Sequence, residues 1–209
     1  MIRHVLLFLA FLSSSTSLAN SITDLCVADL KGALNPAGYP CKKPPLTVND
    51  LVFSNFKAGN TSNILKASPT PAFVAQFPAV NGLGLSAARV DLDAGGVVPM
   101  HSHPGATEMV IMVRGRITTG FIAADNSVFV KTLKEGDIMV IPPGLLHFQV
   151  NAGGKKATCF VTYSSPNPEP QILYNALFGS SLDSDLVART TFLDLAQVKK
   201  LKVKFGGSG

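Results

Sequence analysis

Gly95-Gly96-Val97-Val98-Pro99-Met100-His101-Ser102-His103-Pro104-Gly105-Ala106-Thr107-Glu108 is the stretch whose reading decides the fold. Residues two apart on a β-strand point to the same side, so His101 and His103 would aim two imidazoles at one point. Glu108 comes five residues later, an odd spacing that would put it on the opposite face of an unbroken strand. Pro104-Gly105 is a turn-forming pair, and a redirected chain can return the carboxylate to the imidazoles. A third imidazole arrives from far along the chain, where Pro142-Pro143-Gly144 makes a tight turn and His147 opens the next strand. Of the four histidines, His4 lies in an apolar leader, and the other three all belong to this constellation.

A lone His-x-His pair is weak grounds for a metal site. Three imidazoles with one carboxylate are stronger grounds, because burying that many polar groups in an apolar interior is costly unless an ion satisfies them. Four such donors offset one charge of a divalent ion and leave an octahedral ion two open positions. Mixed nitrogen and oxygen donors suit manganese or iron, and the same set accepts zinc or copper.

Around this stretch the chain is rich in short apolar or alternating segments. Leu85 to Leu92, Thr107 to Val113, Ile117 to Ala123, Ile138 to Ile141, Phe148 to Val150 and Ala157 to Tyr163 read as strands, most of them separated by Gly, Pro, Asn or Asp. Many short strands with regular turns predict an all-β antiparallel barrel or sandwich. After Pro166 to Pro170, helices are expected over Ile172 to Phe178, Asp183 to Ala188 and Thr191 to Leu201, placed to make oligomer contacts. Residues 20–70 read as an irregular arm ahead of a single domain over 71–209; no internal repeat or second domain is evident.

The first nineteen residues read as an export signal. Arg3 and His4 are basic, Val5 to Leu12 is apolar, and Ser17-Leu18-Ala19 offers small residues for cleavage after Ala19. The apolar run is shorter than the roughly 20 residues that span a bilayer. The alternative, a buried N-terminal helix, is outweighed by the complete three-part pattern. The mature chain is thus expected outside the cell, with no membrane span. Asn60-Thr61-Ser62 is an N-glycosylation sequon. Cys26 and Cys41 flank a loop holding Pro36, Gly38 and Pro40; they are either paired or two free thiols, and export favours pairing. Cys159 sits in an apolar strand and reads as a buried free thiol with no spare histidine to activate it.

Lys199, Lys200, Lys202 and Lys204 supply part of the net charge of +5. They read as a solvated helix face; the sharper alternative is attraction to an acidic polymer such as cell-wall polysaccharide. Nucleic acid is not an expected partner, because basic and aromatic residues are not interleaved.

Two blocks carry a resemblance. The first runs Gly95, five residues, His101-x-His103, four residues, Glu108, six residues, Gly115; the second runs Gly136, five residues, Pro142-x-Gly144, two residues, His147, three residues, Asn151. Together they resemble the two-part signature of the cupin superfamily, with every position filled. Cys26-Val27-Ala28-Asp29-Leu30, Pro36-Ala37-Gly38-Tyr39-Pro40-Cys41, Gly144-Leu145-Leu146-His147-Phe148-Gln149 and Ala176-Leu177-Phe178 resemble plant germin-like proteins. Gly95-Gly96-Val97-Val98-Pro99 and Thr191-Phe192-Leu193-Asp194 are most similar to their auxin-binding-protein-like branch.

The resemblance implies a β-jelly-roll barrel with C-terminal α-helices and a manganese ion on His101, His103, Glu108 and His147. It also implies a Cys26–Cys41 disulfide, a glycan on Asn60, a homohexamer built as a trimer of dimers, and residence in the apoplast. Oxalate-oxidising germins carry asparagines where this chain has Ala88 and Val98. A site lacking such donors loses selectivity by orders of magnitude, so little or no oxalate oxidation is expected. The resemblance leaves superoxide dismutation as the leading activity. Binding of an auxin-like carboxylate and a non-catalytic wall or storage role are the alternatives. Hydrolysis of nucleotide-sugar pyrophosphates ranks lower, as no phosphate-binding glycine loop is present.

Overall fold

The computed structural model describes residues 24–209; the expected export signal lies outside them. Two five-stranded antiparallel sheets face each other. The first has the order β1 (Ala67–Ala72), β2 (Ser86–Leu92), β9 (Ala157–Tyr163), β4 (Glu108–Arg114), β7 (Ile138–Ile141). The second has the order β10 (Gln171–Ile172), β3 (Val97–Ser102), β8 (Leu146–Val150), β5 (Arg116–Ile122), β6 (Val128–Lys134). This is the antiparallel all-β architecture expected from the many short strands, in the jelly-roll form with C-terminal helices that the resemblance implies.

The period of two fills the interior. Along β4, Glu108, Val110 and Met112 are buried while Met109 and Val113 are exposed. Val90, Leu92, Ile117, Leu133, Ile141, Cys159 and Val161 complete the apolar core between the sheets. Gly115 joins β4 to β5 at φ +80°, and a Cβ there would come within 3.0 Å of the Ala157 Cα, so the tight hairpin requires glycine.

Three strands differ from the sequence reading. β1 opens at Ala67, inside the segment read as irregular arm. Its sequence, Ala-Ser-Pro-Thr-Pro-Ala, hides it; β1 is an edge strand, where proline costs no ladder bond on the open side. β6 is an edge of the other sheet, and its Val128, Phe129 and Val130 are all exposed, so it shows no alternation. β3 carries Pro99 and a register shift between Val98 and His101 that breaks its pattern.

The arm is held against the barrel. Cys26 and Cys41 form a disulfide across 15 residues. Buried Asn81 clamps the same loop, accepting from the Tyr39 N–H (3.0 Å) and donating to the Tyr39 carbonyl (2.8 Å). Further along, Phe56 stacks on Phe160 of β9.

Three helices close the chain: α1 (Leu173–Phe178), α2 (Ser184–Thr191) and α3 (Leu195–Phe205). They pack around Phe178, Val187, Ala188 and Val198. Asp183 and Asp194 each accept two backbone N–H bonds as N-caps. The Asp194 cap starts α3 four residues later than the sequence pattern placed it. Lys199, Lys200 and Lys204 are exposed, as a solvated face requires. Lys202 is not: it is buried, and its ammonium donates to the carbonyls of Ser180, Leu182 and Ser208. A lysine that satisfies three carbonyls inside a helical cluster is a structural cation, so the uniform solvated-lysine reading is corrected at this position.

Candidate metal centre

The chain switches sheets at Pro104-Gly105, and this explains the odd spacing of Glu108. His101 lies on β3 and His103 just beyond it in the second sheet; Glu108 opens β4 in the first. The turn therefore sends the carboxylate inward from the facing sheet. Gly144, at φ +75°, ends the turn before β8, and its N–H bonds to the His103 carbonyl (2.9 Å). His147 then sits opposite His101 in the β3–β8 register, with ring centroids 4.0 Å apart. All four donors are buried, and their ligating atoms lie within 4.8 Å of one another.

Hydrogen bonds decide which nitrogen each imidazole offers. Nδ1 of His101 meets the Pro99 carbonyl (2.8 Å), Nδ1 of His147 the Leu145 carbonyl (2.8 Å), and Nδ1 of His103 the Pro168 carbonyl. A carbonyl can only accept, so each Nδ1 carries a proton and each neutral ring turns a bare Nε2 inward. Glu108 Oε2 stands 3.1 Å from Nε2 of both His103 and His147. These are acceptors facing an acceptor. A proton on His147 would relieve one contact; Nε2 of His103 would still be a buried atom with no hydrogen-bond partner. One cation among the four groups satisfies every lone pair at once, so the donors present fit a metal ion.

The titration of these groups points the same way. Burial, then the neighbouring His147, hold the His101 imidazole down at about 4, so it stays neutral and available. Burial alone would raise the Glu108 carboxyl; in the metal-free site a proton on Nε2 of His103 or His147 outweighs it and holds the group at about 2, the place a cation takes when bound. Its other oxygen, Oε1, accepts from Gln149 Nε2 at 3.0 Å.

A cavity of about 290 Å³ opens beside the donors. Its wall is mostly apolar: Pro69 and Pro71 of β1, Phe73, Val90, Val98, Val161 and Ile172 surround His101, His103 and Glu108. Ala88 and Val98, the two positions singled out against oxalate, both line it. Asn151, the last position of the second block, is not a ligand. Fully buried, it donates to the carbonyls of Leu92, Asp93 and Lys155 and so ties the loops at one end of the barrel.

A model of the Cupin family matches residues 53–199. The chain belongs to the cupin family. Within it, this cupin groups with germin-like proteins. It is 58% identical to auxin-binding protein ABP19a of Prunus persica, over 96% of this chain and 97% of that one. It is 56% identical to germin-like protein subfamily 3 member 1 of Arabidopsis thaliana, over 90% and 92%. Among solved structures it is similar to oxalate oxidase in complex with glycolate, at a TM-score of 0.82 and 34% identity, covering 88% of this cupin and 96% of that chain.

Sequence reasoning named the four donors but assigned no role to Gln149 or Tyr163. A glutamine two residues after His147 on one strand face is a readable signal for a residue that supports a ligand. Tyr163 carries no local signal; only the β4–β9 register, which pairs it with Glu108, brings it to the site. The segment around Pro168, read as the end of the strand region, supplies the carbonyl that orients His103.

The remaining thiol is outside this chemistry. Cys159 is buried in the core, and burial pushes its pKa up to about 12, so it offers no thiolate.

Proposed function

We propose that this cupin is a secreted manganese protein of the plant cell wall that dismutates superoxide at the His101, His103, Glu108 and His147 centre. The observation that carries the reading is the inward row of bare nitrogens against one ionised carboxylate, at the foot of an apolar cavity. When bound, the ion would supply one-electron chemistry: one superoxide is oxidised to dioxygen, a second is reduced to peroxide, and two protons are taken up. The chain's own part is to hold and tune. Nδ1 bonds to backbone carbonyls fix the three rings, Gln149 fixes Glu108, and a single carboxylate leaves a divalent centre with net positive charge that draws an anion inward.

Superoxide needs no elaborate recognition, so a wall with no guanidinium, whose amide at Gln149 is taken up by Glu108, suits it. The same wall argues against oxalate, whose second carboxylate would face Ala88 and Val98. The test is a dismutase assay on manganese-loaded wild type and His103→Ala, with peroxide release from oxalate measured alongside. Equal dismutation by the two proteins, or brisk oxalate turnover by the wild type, would refute the reading.

A second reading rests on the cavity's apolar lining and the auxin-binding relatives. A monocarboxylate such as indole-3-acetate would place its carboxylate at the centre and its ring against Val98 and Ile172. Calorimetry on metal-loaded and metal-free protein tests it; heat that does not depend on metal counts against it.

The Cys26–Cys41 disulfide supports export, since such bonds persist in oxidising compartments. Among the described residues no helix is long and apolar enough to cross a membrane. Asn60 is exposed, as a glycosylation acceptor must be. We further propose a hexamer of three dimers. The outward apolar row of Met109, Val113, Ile138 and Val140 on β4 and β7 supports a copy-to-copy contact. Exposed Lys199, Lys200 and Lys204 suit an acidic wall polysaccharide.

A further inference from the structure

Among the described residues, Tyr163 is the one polar side chain of the cavity wall that the metal centre leaves unused. It ends β9 in register with Glu108 of β4, on the same inward face. Its ring packs edge-on against His103 (centroids 4.9 Å) and against Phe73 (5.5 Å). The residue is only 8% exposed, yet among the described residues its hydroxyl makes no hydrogen bond to protein. The other polar groups around the centre are committed: the three Nδ1 atoms to carbonyls, Gln149 to Glu108, and the inward nitrogens to the site for the ion. Among the described residues the buried polar atom without a partner is Nε2 of His103, so the Tyr163 hydroxyl keeps an opening to the cavity it lines and is free to donate to a group that enters.

We propose that the Tyr163 hydroxyl is the hydrogen-bond donor that positions a small oxyanion, such as a carboxylate or superoxide, at the open face of the metal centre. The inference rests on the metal-centre reading above and adds the determinant of ligand class. Among the described residues Tyr163 is the only donor the cavity wall holds in reserve, since Gln149 is committed to Glu108 and Val98, Val161, Ile172 and the prolines offer none. One donor suits one oxygen-bearing group, with the apolar wall left to the rest of the ligand. A phenol is protonated through the neutral range and donates there. Tyr163 is thus a positioning residue for the ligand and not a ligand of the ion.

The experiment compares wild type with Tyr163→Phe, a change that keeps the ring on His103 and Phe73 and removes only the hydroxyl. Both proteins are loaded with manganese. Metal content, metal affinity by chelator competition and melting temperature are measured first; acetate binding is then followed by calorimetry and by the change it causes in the manganese electron paramagnetic resonance spectrum. The expected result is equal metal affinity and acetate binding about 10- to 100-fold weaker in the variant, the range for losing a hydrogen bond to a charged acceptor. Acetate affinity within about twofold of wild type would overturn the proposal while leaving the metal centre intact. A loss of metal affinity in the variant would also overturn it, by making Tyr163 a support for His103. Wild type that takes up no metal would sink the underlying reading of the centre and this inference with it.

Discussion

Replacing Gln149 by methionine removes one hydrogen bond and little else. Gln149 and Glu108 are both buried, and the amide donates to Glu108 Oε1 at 3.0 Å while Oε2 faces the imidazoles. Methionine has nearly the same length and shape but no donor, so the variant leaves a carboxylate oxygen buried and unpaired. A hydrogen bond to a charged group contributes about 1.5–3 kcal/mol, which corresponds to a loss of metal affinity of roughly 10- to 150-fold. That range agrees with the 10- to 100-fold typical of residues that support a metal ligand. The loss should grow as pH falls. Without the amide the carboxylate of Glu108 is less favoured, its pKa rises, and protons compete with the ion. The assay is chelator competition at pH 8 and pH 5, with circular dichroism confirming an intact barrel. Equal affinities for variant and wild type at both pH values would refute the reasoning, because Gln149 would then not be tuning Glu108.

Three further outcomes follow from the same structure. In metal-free protein, stability should fall on acidification. His101 titrates at about 4 when folded against 6.5 in the reference state, so the unfolded chain takes up a proton first and about 3 kcal/mol is lost as pH drops from about 6.5 to 4. Glu108, held at about 2 against 4.5, contributes stability above 4.5 that is lost as pH falls from there toward 2; urea midpoints that stay constant from pH 7 to pH 4 would contradict the first, and midpoints that stay constant from pH 4.5 to pH 2 the second. Lys202→Met should strand three carbonyls and cost about 1–3 kcal/mol, read as faster hydrogen exchange over 180–209 with metal content unchanged; unaltered exchange would show that the ammonium is dispensable. Replacing Cys26 and Cys41 together by serine should remove about 3 kcal/mol of loop constraint and speed proteolysis of the arm while leaving metal binding alone; wild-type proteolysis rates would count against that role.

The site was more legible in the sequence than its surroundings. His101, His103 and His147 could be recognised because no other histidine follows the leader, and because turn residues precede His147. Glu108 was placed correctly for an incomplete reason: the turn does redirect the chain, but by carrying it to the facing sheet. Central strands such as β2 and β9 were visible because burial imposes apolar content. The edges β1 and β6 were not, since proline is tolerated at one and exposed valine and phenylalanine occupy the other. Lys202 was hidden among solvated lysines because its three carbonyl partners come from other segments, of which sequence spacing carries no trace. Tyr163 was hidden for the same reason, its neighbour Glu108 lying on another strand.

Metal analysis of the purified protein by mass spectrometry, alongside His147→Ala, puts the convergence of these four side chains to the test. The donors' arrangement predicts about one divalent ion per folded wild-type chain and near-complete loss in the variant, whose barrel remains folded. Folded wild type without metal, or a variant that keeps its ion with unchanged affinity, would contradict it.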